Sequence, residues 1–143
     1  MKRFAFSLER AMDWRRAQAR LEQSKLERLF AELAAIDARR KALREEAAES
    51  ERRLCSGPEA SGFELAALDT FRRYAFLEQS RLMQRRADCE KRIAAQMQTI
   101  AAKRRDVRLL ELARERRYHR WQAEAEREID RQAEEIYLAK WKR

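Results

Sequence analysis

The chain has 143 residues, 41% of them charged and 45% hydrophobic, with a formal net charge of +9, two glycines and one proline. Sandwiches, barrels and alternating βαβ folds need many more turn residues than this, so they are excluded and long helix remains. Alanine and arginine, both strong helix formers, supply much of the sequence.

The first predicted element is a helix over about residues 7–54. Stepping alternately by three and four gives Leu26, Leu29, Leu33, Ile36, Arg40, Leu43, Ala47, Ser50 and Leu54, and backwards Glu22, Ala19, Arg15, Met12, Leu8 and Ala5. This spacing predicts a coiled-coil seam rather than a solvated disordered chain. Charged residues at Arg15, Glu22 and Arg40 weaken the seam and select a register. The single concentrated break, Cys55-Ser56-Gly57-Pro58-Glu59-Ala60-Ser61-Gly62, holds both glycines and the proline. A helix through Pro58 would lose a donor and clash, so a turn is predicted over about 55–61. Ser61 followed by Glu64 has the S-x-x-E spacing of a capping box, which starts a second helix over about 62–141.

A short connection makes neighbouring helices antiparallel. The expected architecture is therefore all-α: one domain spanning 1–143, a long antiparallel two-helix coiled-coil hairpin whose second helix is the longer. Counting outward from the turn sets the N-terminal residues beside positions 110–115, leaving Arg114 to Arg143 beyond the partner helix. Opposite charges such as Glu124 and Glu128 with Arg127 and Arg131 would support that exposed end by a few tenths of a kcal/mol per pair.

No predicted segment approaches the ~20 apolar residues of a bilayer span. The N-terminus meets Glu9 before a signal-peptide core develops, so a cytoplasmic location is expected. Cys55 and Cys89 are 34 positions apart without a CxxC partner, which reads as reduced incidental thiols. His119 is the sole histidine, and no phosphate-cradling glycine loop is present. No catalytic, cofactor or metal site is expected, and hence no enzyme and no small-molecule substrate.

The second helix carries two apolar stripes. Leu68, Phe71, Ala75 and Leu82 share one face, and Leu65, Phe76, Met83 and Ala87 another about 120° away. One partner helix cannot bury both, so the second stripe either docks on another protein, broadens the core or forms a homodimer seam. Residues 71–110 hold eleven Lys or Arg against four Asp or Glu. Such a patch suits a solvated face, an acidic protein face or nucleic acid, but doublets such as Arg85-Arg86 diverge by 100° and wrap the surface instead of forming one rail, so nucleic acid is not the expected partner. Trp14 lies off the first seam. Trp121 with Tyr118 is expected to pack on N-terminal residues.

The opening Phe4-Ala5-Phe6-Ser7-Leu8-Glu9-Arg10-Ala11-Met12, followed by Arg15-Arg16, resembles the F-x-F-x-L-x-x-x-L-x-x-R start of the flagellar FliJ family. Chain length, the break about 40% along, and Phe71, Tyr74 and Leu77 early in helix two extend the similarity. The resemblance implies a cytoplasmic stalk protein of bacterial flagellum biogenesis, a component of the type III protein export apparatus. It would bind the hexameric export ATPase with its paired termini, and the cytoplasmic domain of the membrane export gate and export chaperones near the turn. That places it peripherally at the inner face of the cell membrane. On this mapping Phe4, Phe6, Leu8, Tyr137 and Trp141 belong to the ATPase end, and Phe71, Tyr74, Phe76 and Met83 to the gate end. Alternatives are the stalk of a virulence injectisome, a basic homodimeric coiled coil binding nucleic acid, and a homodimeric spacer.

Overall fold

The computed structural model describes residues 3–57 and 59–141. It contains two helices, α1 (Glu9–Ser56) and the longer α2 (Gly62–Trp141), and no strand among the described residues. The capping box forms as the spacing requires: the Ser61 amide donates to the Glu64 carboxylate at 2.8 Å, and the Glu64 amide to the Ser61 hydroxyl at 3.3 Å. Both hydrogen bonds satisfy amides that the first turn of a helix leaves without partners. The expected turn at Pro58 itself falls outside the described residues.

The packing divides into two units, Glu22–Thr99, and Met1–Leu21 with Ile100–Arg143. In the unit Glu22–Thr99 the helices run antiparallel. Arg72 pairs with Glu51, Arg86 with Asp37 at 2.9 Å, and Arg92 with Glu32 at 3.2 Å. Leu26, Ile36 and Leu43 of α1 are buried with Ala75, Leu82, Cys89 and Ile93 of α2. Each such large side chain withdrawn from water contributes ~1.5–3 kcal/mol before chain entropy is charged against it. The polar seam residues are accommodated. Gln96 donates to both the carbonyl and the carboxylate of Glu22, at 2.9 and 2.6 Å. Gln79 donates to the Arg40 carbonyl, and Arg40 reaches Asp37 while its Nε is buried without a partner. Cys89 fills a seam position with its thiol directed at the Leu29 carbonyl, 3.4 Å away, whereas Cys55 is exposed in the last turn of α1.

In the terminal unit Arg15 pairs with Asp106 at 3.2 Å, Arg16 with Glu111 at 3.0 Å, and Arg114 with Glu9 at 3.3 Å. Phe6, Met12, Ile100 and Ala125 are buried there. The N-terminal residues reach farther along α2 than counting from the turn predicts. Arg117 bonds the Ser7 hydroxyl, and the Phe4 ring lies edge-on against Tyr118 at 5.2 Å and beside Trp121 at 5.8 Å. The reason is local: the chain becomes helical only at Glu9, and non-helical backbone covers up to ~3.3 Å per residue against 1.5 Å in a helix. The free part of α2 therefore begins after Ala125 rather than at Arg114.

Candidate partner-binding surfaces

A two-helix layer is one side chain thick, so each helix keeps apolar residues that its partner cannot cover. Two such exposed sets stand out. On α2 in the unit Glu22–Thr99, the stripe at Leu65, Phe76 and Met83 faces away from α1. Phe76 is 72% and Met83 58% exposed, and Phe63 and Leu77 add further exposed apolar area. Arg72, Arg73, Phe76 and Leu77 line a shallow depression of about 390 Å³. The first stripe turns inward: Leu68 and Phe71 are half-buried, and Ala75 and Leu82 are buried. Two exposed stripes would have left the face of α1 uncovered, so this division is the one the seam requires.

Of the four residues expected at this end, Phe76 and Met83 therefore lie on the outer stripe. Phe71 sits at the seam with its ring 6.2 Å from Tyr74. Tyr74 is exposed beside Arg39, and the two neighbours Tyr74 and Glu46 hold that guanidinium above its ordinary pKa.

The second exposed set lies in the terminal unit. Tyr118, Trp121, Ala125, Ile129 and Ile136 continue along one side of α2, and the line of contact with the N-terminal residues ends within it. Ala125 is buried, whereas Ile129 and Ile136 are 57% and 59% exposed. Tyr137 and Trp141 are exposed one turn apart on an adjoining face. Phe4 and Phe6, expected among the partner-binding residues, serve this unit's own packing. Phe4 is half-buried on two aromatic rings, and buried Phe6 carries the Arg117 guanidinium 5.7 Å from its ring centre. Leu8 remains exposed. Ile129 and Ile136 were missed by a reading that looked for aromatics, although their seven-residue spacing extends the seam.

The expected ion-pair support of this end is absent. Among the described residues no charged side chain between 122 and 141 forms an ion pair; Arg131 donates instead to the Arg127 carbonyl at 3.3 Å. Six carboxylates, at Glu124, Glu126, Glu128, Asp130, Glu134 and Glu135, stand in solvent.

A basic groove of about 440 Å³ also lies in the terminal unit, where Arg16 and Arg20 of α1 face Arg104 and Arg108 of α2 over Ala19 and Val107. Its one carboxylate, Glu111, is held below the usual range by hydrogen bonds from Arg16 and Arg108. Sequence doublets concealed this cluster, because it is assembled from residues four apart on two helices.

Among the described residues no group of three His, Cys, Asp or Glu is arranged to hold a metal ion, and no helix is long and apolar enough to cross a membrane. His119 is exposed beside Tyr118. Compared with family models, curated proteins and solved structures, the chain matches none.

Proposed function

We propose that this protein is a non-enzymatic stalk of the flagellar type III export apparatus. It binds the hexameric export ATPase, links it to the cytoplasmic domain of the export gate and escorts export chaperones. The observation that carries the reading is the free end of α2 after Ala125: a helix whose apolar line outruns its hairpin partner is formed to complete packing inside another assembly. Tyr137 and Trp141 present the large aromatics that dominate interface energies. The outer stripe at Phe76 and Met83 is the surface assigned to the gate, with methionine suiting an adaptable contact.

Sedimentation of the export ATPase with nucleotide and magnesium, with and without this chain, tests the reading. The expected result is a shift of the ATPase from monomer to hexamer with the chain bound. Unchanged ATPase oligomerisation and turnover would overturn it.

A further inference from the structure

We propose that residues 3–8 form a displaceable strap over the part of α2's apolar line next to its free end, and that the export ATPase displaces this strap to seat fully on α2. The identity of the partner rests on the stalk reading, whereas the strap is read from the packing of the terminal unit.

Tyr118, Ala125, Ile129 and Ile136 follow one another at intervals of seven, four and seven residues, so they lie on one line along α2. The cover over this line changes along its length. α1 accompanies α2 as far as the ion pair of Glu9 with Arg114. From there to Ala125 the cover is the N-terminal segment, which turns its alternate residues Phe4 and Phe6 to α2. The Phe4 ring lies against Tyr118 and Trp121, and Phe6 is buried beside the Arg117 guanidinium. Beyond Ala125 the line stands in water at Ile129 and Ile136. A partner that seats on Ile136 and Ile129 and continues along the line meets the strap at Trp121 and Tyr118, so partner and strap claim the same side chains.

The strap is weakly held. Among the described residues its backbone-to-backbone hydrogen bonds run forward into α1, from the Glu9 amide to the Phe6 carbonyl at 3.1 Å and from the Met12 amide to the Leu8 carbonyl at 2.9 Å. Toward α2 it offers side chains: two aromatic rings, and the Ser7 hydroxyl that accepts from Arg117. The burial of two rings and the conformational entropy lost by six ordered residues are of similar size, so the segment opens while the hairpin stays folded. Opening extends the exposed line back toward Arg114 and frees the stacked Tyr118 and Trp121 rings, 5.8 Å apart, for the partner.

The experiment compares the full chain with F4A/F6A and with a chain lacking residues 1–7, circular dichroism checking that both variants stay helical. In a W14F/W141F background Trp121 is the one tryptophan left, and acrylamide quenching reports its exposure. Both strap variants are expected to raise the quenching constant about twofold, because the ring that shields Trp121 is gone. In chains that keep Trp14 and Trp141, titration against the export ATPase with nucleotide and magnesium is expected to show about tenfold tighter binding of both variants, which corresponds to a strap open in about one native chain in ten. Unchanged quenching would overturn the proposal, as would variants that bind no more tightly than the native chain; weaker binding would mean that the Phe4 and Phe6 rings themselves touch the ATPase. Binding by none of the three chains would overturn the stalk reading and the competition with it, and the quenching tells that result apart from a failed strap.

Discussion

The unit Glu22–Thr99 and the terminal unit use the same seven-residue repeat to different ends. In the first, Leu43 is fully buried and Leu82 and Ile93 nearly so, because both helices are present throughout. In the second, the repeat runs on through Ile129 and Ile136 after α1 and its N-terminal extension have ended, and the same kind of side chain stands in water. A heptad pattern thus specifies a surface that can be buried, and the burial depends on whether a second helix is there. Ion pairing follows the same division, since the pairs that cross between helices stop at Glu9 with Arg114.

The sharpest way to break the comparison is to cut the same apolar volume from each region. Leu43→Ala should destabilise the protein by about 3 kcal/mol, as expected for a buried leucine that leaves a cavity. Ile136→Ala should change the stability of the isolated chain by no more than about 0.5 kcal/mol. Urea denaturation followed by circular dichroism measures both, and equal effects would mean that the free end is packed after all.

A smaller effect is expected at the start of α2. Ser61→Ala should cost about 1 kcal/mol through loss of the cap and should speed amide exchange in the first turn. The partner carboxylate adds a pH dependence. The Ser61 amide and hydroxyl hold Glu64 below its ordinary pKa. A depressed pKa in the folded state means that the contribution is complete above the unfolded value of ~4.3 and is lost as pH falls through the lower folded value. Protection of the amides in that turn, measured against the intrinsic exchange rate at each pH, should therefore fall on acidification, and Glu64→Gln should abolish that change.

Asp37→Asn, which weakens the contacts to Arg86 and Arg40, should cost only a few tenths of a kcal/mol, because all three side chains are partly solvated. Smallest of all, a chain ending at residue 125 should keep the thermal midpoint of the intact protein within about 2 °C. That last outcome, read by thermal melting, would show that the free end adds nothing to the hairpin's stability.

The helix limits were legible because their determinants are local: Gly57 and Gly62 bracket the break, and the Ser61–Glu64 spacing names the first turn of α2. The inward and outward stripes were legible for the same reason, since both follow from the geometry of one helix. The alignment of Phe4 with Tyr118 and Trp121 was not, because it depends on residues 3–8 being non-helical and thus on where α1 begins. Nor was the arginine groove, whose members meet only after two helices are paired. Phe4 and Phe6, which the resemblance assigns to the ATPase end, also pack against the chain's own second helix, a contact that no single-helix pattern displays.

The placement of the two thiols has a practical consequence. Cys55 stands in water in the last turn of α1, while Cys89 is buried with its sulfur against the Leu29 carbonyl. An alkylating reagent should discriminate between them without any substitution, since reaction needs an accessible thiolate. The native chain therefore offers a single attachment point for a fluorophore or spin label next to its turn, from which docking of any partner at that end can be followed in solution.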